Sequence, residues 1–289
     1  TRIKHILFRY FGFFFNRIPA YEVCLDSQTT PVIAAKRAAR ARRLSSGSSS
    51  KSFLSKILWV VNHWDLQTQK YRVFNYVEEL SQHGIRSELL HDDDDELDHC
   101  ELAGFDLIVL SRIAASDRSR HLVLRAKSLQ IPVIYDIDDL VFCPERVHLI
   151  RFTSGLSQEE RLSFQSGIIL RRELMLMCDA VTTSTFSLST EVRCLGLPAF
   201  VLPNTISRSD FEESEELAGR SCTDVQIPIR IGYFSGTKTH ERDFAECKNP
   251  VLRILTEYPN VELLVVGHLD IPEDFKKFGD RILTRPLMS

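Results

Sequence analysis

With 289 residues, 44% hydrophobic and 26% charged, the chain has the composition of a globular protein long enough for about two domains. Its net charge of -3 is unevenly spread: residues 1–50 carry nine Lys/Arg against two Asp/Glu, and the other 239 carry 27 against 37. An acidic body has no footprint for a phosphate backbone, which argues against nucleic acid as its partner.

From the first residues, the run Ile3–Phe15 is aromatic-rich but short, and Lys4, His5 and Arg9 interrupt it. No stretch reaches the roughly 18–20 apolar residues of a membrane span, and no small-residue cleavage site follows, so no signal peptide is expected. Residues 1–20 either touch an anionic membrane face peripherally or act as a packing or linker segment. Residues 36–52, rich in Ala, Arg and then Ser, read as a connection that buries little. The seven cysteines (24, 100, 143, 178, 194, 222, 247) are scattered without a C-x-x-C pair, as expected of reduced thiols in a cytoplasmic protein.

Apolar runs then alternate with helical patterns. Ile57–Val61 is a buried-strand candidate, followed by a helix over 70–82 with Val73, Phe74, Val77 and Leu80 on one face and Gly84 as its cap. Strands follow at Asp106–Leu110, Pro132–Tyr135, Ala180–Thr183 and Phe200–Leu202, separated by helices over 117–129, 157–177 and near 186–194. Residues 207–228 are polar and read as a crossing between domains. A second unit starts with a strand from Ile229 to Phe234, a helix over 241–257 and a strand from Val261 to Val266. Continuous apolar strands between amphipathic helices predict an α/β, doubly wound parallel sheet. The expected organisation is 1–52 basic segment and linker, 53–206 a first Rossmann-like domain, 207–228 a linker, and 229–289 part of a second. Only 61 residues run from Ile229 to Ser289, against the roughly 100–150 usual for a domain, so the second is expected to be cut short.

Ligands of such sheets bind beyond the carboxyl ends of the strands, which selects the residues of interest. The loop Asn62-His63-Trp64-Asp65 lacks G-x-G-x-x-G, and no G-x-x-x-x-G-K-[ST] occurs, which disfavours an NAD enzyme or a P-loop NTPase. His63 faces a ligand at a strand end, while Asp65 caps a helix. Arg72 and Arg112 offer planar forks for an anionic or hydroxyl-rich ligand. Asp136-Ile137-Asp138-Asp139 crowds three carboxylates at one strand end, suiting a divalent metal, ligand hydroxyls and general-base work, or helix capping. Asp92 to Glu96 reads as a solvated charge run. Ser235-Gly236-Thr237-Lys238-Thr239-His240, between strand and helix, is an anion site suited to a diphosphate.

Four segments together resemble GT-B glycosyltransferases, especially the bacterial group that uses retaining chemistry in polysaccharide assembly. They are Lys70-Tyr71-Arg72-Val73, Tyr135-Asp136-Ile137-Asp138-Asp139-Leu140, Val181-Thr182-Thr183-Ser184 with Leu202-Pro203-Asn204, and Ile231 through His240. The resemblance implies an acceptor domain, a donor domain, and sugar transfer from a nucleotide-diphosphate sugar to a glycan hydroxyl in a cleft between them. It implies Asp136, Asp138 and Asp139 as catalytic, with His63, Arg72 and Arg112 toward the acceptor. Asn204, Ser235, Gly236, Thr237, Lys238 and His240 would attend the donor. No metal and no cofactor beyond the co-substrate are implied. The paired glutamates of the later donor segment have no counterpart before Ser289, so the chain by itself is expected to be inactive or feeble. Rival readings are a sugar-nucleotide epimerase of the same architecture and a degenerate glycan-binding or scaffolding module.

Overall fold

The computed structural model describes residues 54–63, 66–149, 157–219, 228–236 and 241–287. The expectations for residues 1–52, Asp65, Thr237, Lys238 and His240 lie outside these. The chain divides into two compact units: the first takes residues up to Val147 and from Glu160 to Ser214, and the second takes the stretch between them together with Glu215 onward.

The first unit holds six parallel strands: β1 (Lys56–Val61), β2 (Arg86–His91), β3 (Leu107–Ser111), β4 (Val133–Ile137), β5 (Ala180–Thr183) and β6 (Ala199–Val201). Their order across the sheet is β2-β1-β3-β4-β5-β6. The direction of winding therefore reverses between β1 and β3, the switch point at which doubly wound sheets bind ligands. Strands β3, β4 and β5 are buried along their whole length, as near-continuous Val, Ile and Leu demand when helices cover both faces. Period-two alternation sends Ile57, Trp59 and Val61 to one face, where Val73, Tyr76 and Leu80 pack on them. Leu58 and Val60, equally buried, turn to the other.

Between β1 and β2 the chain forms α1 (Leu66–Gln69), a five-residue π-helical segment Lys70–Phe74, and α2 (Asn75–Gln82). Gly84, with φ of 75°, ends this run as expected. A short α3 (Glu96–His99) precedes β3. Helix α4 (Asp117–Ser128) starts at a reciprocal Ser116–Ser119 capping box, and α5 (Gln158–Met177) connects β4 to β5. Helix α6 (Phe186–Cys194) starts where the Thr185 hydroxyl accepts from the Leu188 N–H. The region read as a polar crossing contains helix α7 (Arg208–Gly219).

The second unit has three parallel strands in the order β7-β8-β9: β7 (Ile229–Ser235), β8 (Val261–Gly267) and β9 (Ile282–Arg285). Helix α8 (Glu241–Glu257) and a 3-10 segment, Glu273–Arg281, supply its core. Phe244, Leu255, Leu263, Val265 and Phe275 are buried together, with Tyr233 edge-on to Phe244 at 4.9 Å. The five described cysteines are free thiols. No helix among the described residues is long and apolar enough to cross a membrane.

The carboxyl ends of β7 and β8 are locked together. The Ser235 hydroxyl donates to the His268 carbonyl at 2.6 Å, and the His268 N–H donates to the Ser235 carbonyl at 2.9 Å. Gly267 sits in this crossing at φ of 94°, and a Cβ there would meet the Ser235 carbonyl oxygen at 2.0 Å. Gly267→Ala is therefore expected to destabilise the protein by more than about 1 kcal/mol. Urea unfolding checks this, and an unchanged midpoint would contradict the close approach.

Candidate active site

The switch point is built around a buried ion pair. The wide π turn Lys70–Phe74 brings both Arg72 and Val73 to the buried side and leaves Phe74 41% exposed. Phe74 was expected on the buried face, whose third apolar member is instead Tyr76. Arg72, expected to reach toward a ligand, is 0% exposed. Its Nε donates to Asp136 Oδ2 at 3.1 Å and its Nη2 to Asp136 Oδ1 at 2.5 Å. Its Nη1 donates to the Leu202 carbonyl and, at 3.2 Å, to Asn204 Oδ1. Burial works against the guanidinium's charge, yet the adjacent Asp136 carboxylate outweighs it and holds the Arg72 pKa above its usual value.

Asp136 is likewise withdrawn. The strand expected to end at Tyr135 runs two residues further, so Asp136 lies within β4 and is 1% exposed. The Thr182 hydroxyl on β5 adds a hydrogen bond to Oδ1 at 2.6 Å. Expected to meet a substrate, this carboxylate is instead enclosed and matched by a guanidinium. Its geometry suits positioning rather than direct chemistry.

The rim above the pair is polar. Asp138 and Asp139 follow β4, and Arg112 follows β3. The Arg112 backbone is left-handed, with φ of 54°, a strained state for a side-chain-bearing residue that costs on the order of 1–3 kcal/mol. It is held there by its own N–H donating to the Asp136 carbonyl at 3.0 Å. Arg171 Nε, from α5, donates to the Arg112 carbonyl at 3.1 Å. The Arg112 Nη1 then reaches Asp138 Oδ1 at 3.2 Å and the Thr68 hydroxyl at 3.0 Å, with Asp139 Oδ2 at 3.9 Å from Nη2. The Ser184 hydroxyl donates to the Asp138 carbonyl at 3.0 Å. Arg112 thus spans the switch point, from the segment after β1 to the segment after β4. The Arg112 and Asp138 side chains are 17% and 15% exposed. Burial pushes the Asp138 carboxyl above the ordinary carboxylate value, and the Arg112 charge only partly opposes the rise.

The other expected site residues lie elsewhere. His63, beyond β1, pairs with Asp93 at 2.8 Å and stacks on His91 at 3.6 Å. Asn204 is exposed on the exit from β6 and touches Arg72. Ser235, expected beside a diphosphate, is 1% exposed and its hydroxyl engages the His268 carbonyl, because it belongs to the strand lock. Gly236 follows it, partly exposed. Thr68 and Ser184 were not among the expected site residues; Ser184 lies in a segment that carries the resemblance, whereas the only signal for Thr68 is a hydroxyl soon after an apolar strand.

No protein-family model matches the chain, and no curated protein matches it. Among solved structures, the chain is similar to the UDP-GlcNAc 2-epimerase of Neisseria meningitidis bound to UDP-GlcNAc, at 13% identity and a TM-score of 0.42 over 81% of this chain and 72% of that one. It is similar to MnaA of S. aureus with UDP, at 12% identity and 0.44 over 81% and 69%. A third is Phytolacca americana UGT2 complexed with UDP-2fluoro-glucose and pterostilbene, at 12% and 0.43 over 83% and 72%. Likeness at this level assigns no chemistry to the chain.

Because Arg72 and Asp136 are enclosed together, removing one strands the other. Arg72→Met is expected to cost about 3–5 kcal/mol, whereas Arg72→Met with Asp136→Leu is expected to cost less than the single change. Chemical denaturation of the two variants checks the sign of the difference. A double variant less stable than Arg72→Met would refute the charge-pair account.

Proposed function

We propose that the chain is a nucleotide-sugar enzyme that transfers a sugar from a nucleotide-diphosphate donor to a glycan hydroxyl. The observation that supports this best is the Arg112–Asp138 pair, set at the switch point of the first sheet on a strained backbone. Strain of this kind persists where the surrounding structure enforces it, and it clusters at functional sites. The pair matches the needs of a hydroxyl-rich acceptor. The guanidinium orients a hydroxyl by donating to its oxygen, and the carboxylate accepts the hydroxyl proton. As the acceptor oxygen bonds to the anomeric carbon, the bond to the diphosphate breaks and its electron pair leaves with the phosphate. Asp139, 60% exposed on its side chain, extends the acceptor rim. In the second unit, Gly236 with Thr237, Lys238 and His240 would receive the diphosphate, where amides and a cation offset the developing charge. Arg72 and Asp136 act beneath the rim as positioning residues.

A raised carboxyl pKa has a definite consequence. Asp138 accepts a proton only when ionised, so turnover should fall on the acid side at a pH above the ordinary carboxylate value of 3.8. Stability runs in the opposite sense. Between 3.8 and the raised value the folded chain keeps a proton that the unfolded chain has released, so this group's contribution to stability declines as pH rises through that window.

The test is release of UDP or GDP from a UDP- or GDP-hexose by the intact protein, with and without glycan acceptor. Acceptor-dependent release is expected, and Asp138→Asn should lower kcat by roughly 10²–10⁴-fold. The acid limb should disappear from whatever activity remains, while the protein stays folded. Isomerisation of the donor sugar without acceptor would replace this reading with epimerisation. Glycan binding with no turnover and no effect of Asp138→Asn would make the chain a binding module.

A further inference from the structure

The carboxyl ends of β1 and β2 carry a second polar cluster, separate from the Arg112–Asp138 rim. His63 follows β1, and Asp93 and Asp94 follow β2. One ligand atom from each of these three side chains lies within 4.8 Å of the other two. We propose that His63, Asp93 and Asp94 form a binding site for a divalent cation of the Mn²⁺ or Zn²⁺ class. The proposal is independent of the sugar-transfer reading.

Three features distinguish this cluster from a surface charge run. The first is the donor set, one imidazole nitrogen and two carboxylates. Mixed nitrogen and oxygen donors suit first-row divalent ions better than Ca²⁺ or Mg²⁺, which take oxygen. Metal–donor bonds of about 2.0–2.2 Å place the donors of one ion roughly 3–4 Å apart. Closing from 4.8 Å therefore needs only a modest movement of side chains that are partly free to move, His63 being 43% and Asp93 69% exposed.

Orientation is the second feature. The His63 ring lies flat on the His91 ring, with centroids 3.6 Å apart and planes 7° from parallel. That stack directs His63 Nε2 at Asp93 Oδ1, 2.8 Å away. Asp94 is fixed from the other side. Its Oδ2 accepts the His91 N–H at 2.7 Å, and its own N–H donates to the His91 carbonyl at 3.1 Å. One oxygen of Asp94 is therefore committed to the turn, which leaves the second for a cation. His91 Nδ1 is buried and has no hydrogen-bond partner among the described residues.

Charge is the third. Asp92, Asp93 and Asp94 are consecutive, so three carboxylates crowd the segment that follows β2. Further along the run the acids have cations of their own. Arg118 reaches Asp95 at 2.7 Å and Asp98 at 2.9 Å. Asp93 instead pairs with His63, which carries charge only when protonated. A bound divalent cation would offset two carboxylates and use the imidazole in its neutral form, as metal ligation requires.

Mn²⁺ is the better first probe, because Zn²⁺ would also be taken by the free thiols. Untagged protein should bind one Mn²⁺ per chain in a saturable calorimetric titration, and Zn²⁺ should compete for it. His63→Ala and Asp93→Asn should each weaken Mn²⁺ binding at least tenfold while leaving the far-ultraviolet circular dichroism unchanged. Asp94 is left intact because its carboxylate closes the turn. Mn²⁺ should also broaden the His63 imidazole resonances of the unmodified protein, a readout that needs no variant. Failure of saturable binding, equal affinity in both variants, or broadening confined to histidines other than His63 and His91 would each overturn the site.

Discussion

A guanidinium and a carboxylate enclosed together must satisfy one another, since desolvating either alone costs several kcal/mol. In this chain that requirement falls on Arg72 and Asp136. Meeting it fixes the first unit at one place. Asp136 belongs to β4, its second partner Thr182 to β5, and Arg72 to the π segment after β1, while Leu202 and Asn204 belong to the exit from β6. Such a pair is weak evidence for net stability, because apolar groups of similar volume serve as well. What it does is exclude alternatives. A one-residue shift of β4 or a half-turn of the π segment would leave a buried charge without its partner.

The π segment and the first turn of α2 together secure the chain as it leaves the sheet. Besides Arg72, the Asn75 amide donates to the Thr205 carbonyl at 2.5 Å, and the Tyr76 hydroxyl donates to the Pro203 carbonyl. Leu202 through Thr205 is therefore held by side chains where no strand partner remains for its carbonyls. The rim depends on the same anchor. The Arg112 N–H bonds to the Asp136 carbonyl, so the strained residue that presents its guanidinium to Asp138 rests on the backbone of the buried carboxylate. Core and rim are linked by one residue whose side chain faces in and whose carbonyl supports the site.

Much of this was legible in the sequence, and the failures have a common cause. Continuous apolar runs gave β1, β3 and β5 to within a residue or two, because burial on both faces leaves no alternative composition. Strand β2, Arg-Ser-Glu-Leu-Leu-His, escaped notice because it is the sheet's edge and is nowhere fully buried. The two missing residues of β4 include Asp136, a charge that hydrophobic patterning assigns to a loop. Arg72 reads as a surface residue for the same reason, since no periodicity announces a π turn. Local pattern reports where apolar groups go. It is silent on charges that become buried only because a partner 64 positions away arrives with them.

The two units pin the ends of their strands by different means, with different consequences. In the first, the lock is electrostatic and long-range, so it tolerates neither loss of one partner nor a change of register. In the second, it is steric and neutral: a serine hydroxyl meets a carbonyl, and the crossing closes because residue 267 has no Cβ. Both arrangements hold the backbone at the strand ends while the residues just beyond, Asp138 and Asp139 in one case and Gly236 in the other, remain at least partly open to solvent. A rigid strand end under an accessible polar loop is what preorganised binding of charged and hydroxyl-bearing groups requires, because the cost of ordering is met during folding rather than on encounter with the ligand.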